Sequence, residues 1–168
     1  MSDNRLKIAV IGAGMIANAG HIPAWKNGKD DAEVVAVFNR SMERARQTAA
    51  RHDIPHAYDD CAKMLAEVQP DIACVCTPNV SHKEYALAAF EAGAHVFCEK
   101  PIAACYADAV EMFERAEERA RILFVTQTGR FANRTLAAKE VADSGQLGDM
   151  YYAETSALRR RGVPTWGR

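Results

Sequence analysis

Apolar residues gather along this chain in short, nearly uninterrupted runs, each closed by glycine, proline or a polar pair and followed by a stretch with helical spacing. Leu6-Lys7-Ile8-Ala9-Val10-Ile11 runs into Gly12 and fits a buried parallel strand. A helix is expected from about Gly14 to Lys26, with Pro23 inside it to kink it or end it early. Glu33 to Phe38 reads as a second strand, Ser41 as the cap of a helix reaching about His52, and His56-Ala57-Tyr58 as a short extended piece. A helix from Cys61 to Val68 follows, and beyond Pro70 the run Ile72 to Cys76 is again a buried strand. Ser81-His82-Lys83-Glu84 has the form of a capping box, in which the Ser81 hydroxyl accepts from the third helical amide and Glu84 reaches back. That helix should stop at Gly93, because glycine adopts a left-handed cap without strain. His95 to Cys98 is a further strand. Ala109, Met112, Phe113, Ala116 and Ala120 mark the buried face of a long helix, with Glu111 and Arg115 paired four apart on the other. Ile122 to Thr126 closes the series.

Strand and helix alternate up to about residue 126, which predicts an α/β fold with a doubly wound parallel sheet. Six strands in two halves suit a dinucleotide-binding domain over residues 1–126. Residues 127–168 follow a different rhythm: a helix from Thr135 to Ser144 ending at Gly145, then a strand from Met150 to Leu158. An uncovered strand edge invites pairing with another chain, so a homo-oligomer is an expectation of this reading.

Composition narrows the function classes. The 168 residues are 49% hydrophobic and 26% charged, ordinary for a globular protein. Lys and Arg number 21 against 22 Asp and Glu, a near-neutral balance without the basic footprint of a nucleic-acid binder. No apolar run approaches the ~20 residues that span a bilayer, and Met1 to Arg5 lacks the apolar core of a signal peptide. Five scattered cysteines do not form a disulfide framework, which points to the cytosol. Cys74 and Cys76 fall on one face of a strand and read as buried free thiols; a metal site would need more ligands, so none is expected.

The chemistry begins at Gly12-Ala13-Gly14-Met15-Ile16-Ala17, a G-x-G-x-x-A between a strand and a helix. Gly12 permits the tight turn, Gly14 clears the backbone for a pyrophosphate, and Ala17 lets the helix pack closely on the sheet. Orphan amides and the positive helix end then hold the phosphates. The second strand ends in Asn39-Arg40-Ser41 in place of the usual acid. Asn39 can bond a ribose hydroxyl without repelling a 2′-phosphate, and Arg40 can pair with one, so NADP is favoured over NAD. Thr77-Pro78-Asn79 and Glu99-Lys100-Pro101 follow the fourth and fifth strands, at the edge where open α/β sheets bind ligands.

This ordered set (Gly12-x-Gly14-x-x-Ala17, Thr77-Pro78-Asn79-x-x-His82, and Ala92-Gly93-x-His95-Val96-x-x-Glu99-Lys100-Pro101) resembles the Gfo/Idh/MocA family of NAD(P)-dependent sugar, inositol and related oxidoreductases. Gly129-Arg130-Phe131 and Ser144 to Gly148 also resemble that family's segments at the domain crossover. The resemblance implies that Thr77, Pro78 and Asn79 line the nicotinamide-ribose side, with His82 near the ribose. It implies that Glu99 and Lys100 lie beside the nicotinamide. Lys100 would bind the substrate oxygen and aid its proton transfer, after a peptide bond before Pro101 that is often cis. It also implies a longer protein: the Arg159 to Gly167 stretch is similar to the lead-in of a second α+β domain, so the chain is expected to be cut off inside that domain. The partner is then a small-molecule polyol or ketone. A non-catalytic NAD(P)-binding module or sensor stays open as the alternative.

Overall fold

Six of the apolar runs form one parallel sheet in the order β3-β2-β1-β4-β5-β6, where β1 is Leu6–Ile11, β2 Ala32–Phe38, β3 His56–Tyr58, β4 Ile72–Val75, β5 His95–Cys98 and β6 Leu123–Val125. The computed structural model describes residues 5–158; Met1 to Asn4 and the arginine-rich stretch from Arg159 lie outside the described residues. The chain divides into two units between Gln127 and Thr128, and the sheet belongs wholly to the first. Its strand order reverses between β1 and β4, where an open sheet leaves a crevice at its carboxyl edge.

Both faces of the sheet are covered, as a parallel sheet requires. Ile8 and Val10 face one way, into a core with Ala17, Ile22, Val34 and Val37. Ala9 and Ile11 face the other, into a core with Met64, Tyr85, Phe90 and Met112. Full burial of one such Ile or Val contributes roughly 1.5–3 kcal/mol, so these alternating positions fix the register. One irregularity interrupts it: Ile8 pairs with Val34 but Ala9 with Ala36, leaving Val35 as an extra residue. That bulge puts Val34 and Val37 on the same face and turns Phe38, just ahead of Asn39, to the other.

The helices in this unit are α1 (Ile22–Asn27), α2 (Met42–Arg51), α3 (Cys61–Val68), α4 (His82–Glu91) and α5 (Tyr106–Glu118). Several expectations are corrected here. The helix after the glycine loop neither ends nor breaks at Pro23. A π-helical turn over Ala17–His21 precedes α1, with the Ile22 amide donating to the Ala17 carbonyl, and Pro23 falls in the first turn of α1, where no amide is needed. Ser81 does not build a capping box. Its hydroxyl donates to the Pro78 carbonyl at 2.8 Å, closing a 3-10 turn over Asn79–Ser81 that runs directly into α4. Arg115 pairs with Glu91 of α4 at 2.6 Å and with Glu118 of its own helix at 3.0 Å, while Glu111 pairs with Lys83 of α4, so two of the three pairs join the helices and one laces α5. On α5, Met112 and Ala116 are buried as expected, but Phe113 is exposed, and Ala120 lies beyond the helix with a positive φ of 50°.

The second unit holds a 3-10 turn over Thr128–Phe131 and α6 (Asn133–Asp143), after which Gly145 takes a positive φ of 75°. Met150 to Leu158 is not a strand: it has no ladder partner among the described residues, and Tyr151 and Leu158 are each 98% exposed. Without a strand there, the strand-edge reason for expecting a homo-oligomer falls away.

Candidate functional site

The three motif segments meet because each strand hands its last hydrogen bond to its neighbour at one edge of the sheet. Gly12 donates to the Phe38 carbonyl at 2.8 Å, Cys76 to Ile11 at 2.8 Å, Glu99 to Val75 at 2.9 Å and Thr126 to Cys98 at 2.9 Å. Beyond those bonds the chain leaves the sheet, so Gly12 to Ile16, Asn39, Thr77 and Glu99-Lys100 emerge side by side.

Gly12 is buried at a φ of 107°, and a Cβ there would meet the Cys76 carbonyl carbon and oxygen at 2.9 Å. Only glycine fits that turn. At Gly14 the opposite holds: nothing lies within 4 Å of where a Cβ would stand. Gly14, Met15 and Ile16 are exposed, and their amides precede the first intrahelical bond, from Asn18 to the Gly14 carbonyl at 3.1 Å. They are the orphan donors of a helix start, aimed at open space. Ala17 is fully buried under the sheet, where a larger side chain would push the helix away.

Asn39 is half-buried. Its Oδ1 accepts from the Ala13 amide at 3.4 Å and its Nδ2 donates to the Ser41 carbonyl at 3.3 Å, tying the end of β2 to the glycine loop. Arg40 is exposed beside it. Pro78 and Asn79 are exposed at the crevice, and Thr77 is half-buried with its Oγ1 enclosed and without a hydrogen-bond partner. Thr126 Oγ1, after β6 on the same edge, is likewise unpartnered. Two enclosed hydroxyls left unpaired at one edge fit a site that a polar ligand completes. The loop, the free amides and these hydroxyls suit a dinucleotide.

His82 is placed differently from the expectation. It is fully buried, with Nδ1 2.9 Å from the Pro101 carbonyl and Nε2 2.9 Å from the Thr77 carbonyl. With no exposed surface it offers its ring to no ligand; it staples the Thr77 and Pro101 segments together from beneath. The Lys100-Pro101 peptide is cis, and Lys100 is exposed at the crevice.

Glu99 is only 9% exposed and is held at both oxygens. Oε2 accepts from the Lys100 amide at 3.0 Å, and Oε1 lies 2.7 Å from His21 Nε2. His21 was not a candidate in the sequence. It lies 78 residues from Glu99, at the end of the π-helical turn, and no local pattern links the two. Burial alone would push the His21 imidazolium down, yet its interactions with Cys74 and Glu99 hold it up at about 9. The Cys98 thiol, by contrast, is pushed up to about 12 by burial and by the nearby Cys74 and Glu99, which makes it a poor nucleophile.

Comparison with known proteins agrees with this geometry. A model of the GFO_IDH_MocA oxidoreductase family, NAD-binding Rossmann fold, matches residues 6–127. Among curated proteins, D-glucoside 3-dehydrogenase of Escherichia coli (strain K12) is 38% identical over 167 residues, covering 99% of this chain and 47% of that protein. The chain thus spans about half the length of the curated relatives it matches. Among solved structures, a WlbA dehydrogenase from Chromobacterium violaceum in complex with NADH and UDP-GlcNAcA superposes with a TM-score of 0.82 at 28% identity, over 88% of this chain and 42% of the other. A 3-ketoreductase from Actinomadura kijaniata in complex with NADP gives a TM-score of 0.78 at 27% identity, over 87% and 46%.

Proposed function

Because the chain belongs to the Gfo/Idh/MocA oxidoreductase family, we propose that it serves an NAD(P)-dependent oxidoreduction of a sugar, inositol or related polyol or ketone. The observation that carries this reading is the meeting of an open phosphate loop at Gly14 with Lys100 at one sheet edge. The name of the Escherichia coli relative supports a sugar hydroxyl as the reacting group. When bound, the nicotinamide exchanges a hydride with the substrate carbon.

The chain's own residues do the rest. The amides of Gly14, Met15 and Ile16 hold the pyrophosphate, and Thr77 Oγ1 gains its missing partner from the ribose. Lys100 donates from its ammonium to the substrate oxygen, stabilising alkoxide charge as the carbonyl and hydroxyl states interconvert. Glu99 fixes the backbone amide of Lys100, and His21 fixes Glu99; both are positioning residues. His82 keeps the Thr77 and Pro101 segments in register.

NADP is the proposed preferred cofactor. Its support is that Asn39 brings no negative charge and that Arg40 stands exposed beside it. Within this reading residues 1–126 are the dinucleotide domain and 127–168 the start of a second domain. Five free cysteines support a reducing, cytosolic setting.

The test is turnover against a panel of aldoses, inositols and ketoses, followed by nicotinamide absorbance, for the protein and its Lys100→Ala variant. Turnover should fall by about 10²–10³-fold in the variant, as when one oxyanion donor is removed, with cofactor affinity unchanged. Equal turnover in both would remove Lys100 from the chemistry.

A further inference from the structure

Cys74 and Cys76 lie side by side with Sγ atoms 3.6 Å apart, Cys74 on β4 and Cys76 just beyond it. On sequence alone the pair lacked further ligands. The fold supplies one: a ring nitrogen of His21, from the π-helical turn, joins the two sulfurs so that all three atoms lie within 4.8 Å of one another. Cys74 is 0% exposed, Cys76 6% and His21 8%.

We propose that His21, Cys74 and Cys76 form a binding site for one zinc-class cation. Zinc–sulfur bonds of ~2.3 Å and zinc–nitrogen bonds of ~2.0–2.1 Å in tetrahedral geometry place donors roughly 3.5–3.8 Å apart. The sulfurs already have that separation, and the widest pair in the triad needs to close by on the order of 1 Å. Glu99 Oε1, 2.7 Å from His21 Nε2, supplies the outer carboxylate that orients a metal-bound imidazole.

The donor set selects the ion. Two thiolates and an imidazole suit zinc or another borderline-soft ion, whereas calcium and magnesium take oxygen ligands. Two thiolates also cancel a divalent charge, which is what so buried a place requires. The pair and the histidine together hold two protons that must leave as the ion enters, so binding releases two protons per chain. The ion would tie the π-helical turn to the end of β4 behind Glu99. The site shares His21 and Glu99 with the residues that position Lys100, but the evidence for it is the cluster itself and its test does not read oxidoreductase activity.

The test uses the reduced, metal-free chain in a Cys105→Ser background, which removes the exposed thiol. Cobalt(II) is titrated as the optical probe, then displaced with zinc. The expected result is one cobalt per chain with thiolate charge-transfer absorption, two protons released, a rise in melting temperature with zinc, and loss of the band in Cys74→Ser/Cys76→Ser. Absence of the band and of any zinc-dependent melting shift in the folded parent overturns the proposal, and needs no variant of the cluster to fold. A band that persists in the double variant overturns it too, because the ion then lies elsewhere.

Discussion

Replacing Gly12 with alanine separates the architecture of the loop from its chemistry. The φ of 107° strains any L side chain by about 1–3 kcal/mol. The new Cβ would also stand 2.9 Å from the Cys76 carbonyl carbon and oxygen and 3.1 Å from Thr77 Cγ2. The Cys76 backbone is pinned by its amide hydrogen bond to Ile11 and cannot easily swing aside, so overpacking adds roughly 1–3 kcal/mol more. A total near 3–4 kcal/mol, at about 2–4 °C per kcal/mol for a chain of this size, lowers Tm by on the order of 10 °C. Thermal and urea unfolding followed by circular dichroism should show the loss as a shifted midpoint with an unchanged urea slope. Gly14→Ala is the matched control. Its Cβ meets nothing within 4 Å, so stability should hold within about 1 kcal/mol. Dinucleotide affinity should nevertheless fall at least tenfold in that variant. A Gly12→Ala protein melting within about 1 °C of the parent would refute the steric argument, and a Gly14→Ala protein with full affinity would refute the loop's role.

Other substitutions probe the remaining contacts. His82→Ala removes the staple between the Thr77 and Pro101 carbonyls and leaves a cavity where a fully buried imidazole stood, so unfolding free energy should drop by roughly 1–3 kcal/mol, read by urea denaturation. Arg40→Ser should weaken NADPH binding at least tenfold and leave NADH binding unchanged; equal losses for both would contradict the 2′-phosphate reading. Glu91 is held below the ordinary carboxylate range by Arg115 and Arg119, so its stabilising effect is present above about pH 4.5 and is lost as pH falls through its lowered value. Glu91→Gln should therefore flatten the acid limb of a stability-against-pH curve, and added salt should mask the difference.

Much of the fold was legible because its strands are buried on both faces and so appear as apolar runs bounded by glycine and proline. β3, β5 and α3 have the bounds the pattern implied, and Gly12, Gly14 and Ala17 carry their reasons in their own size. What the sequence hid is long-range or competitive. A π-helical turn carries the chain past Pro23, since an amide displaced by one residue still finds a carbonyl. Ser81 had two partners within reach, and the Pro78 carbonyl took it. Arg115 passed over Glu111 for Glu91 across the helix interface and Glu118 on its own helix. The His21–Glu99 pair joins residues from opposite halves of the sheet, and only the strand order brings them together.

The most direct test of the account is a calorimetric titration of this chain with NADPH and then NADH, alongside a melting curve to show that it is folded. The expected result is one dinucleotide per chain, with NADPH bound more tightly. A cooperatively folded chain that binds neither would contradict the claim that Gly12 to Ala17, Thr77 and the adjoining strand ends form a working dinucleotide site.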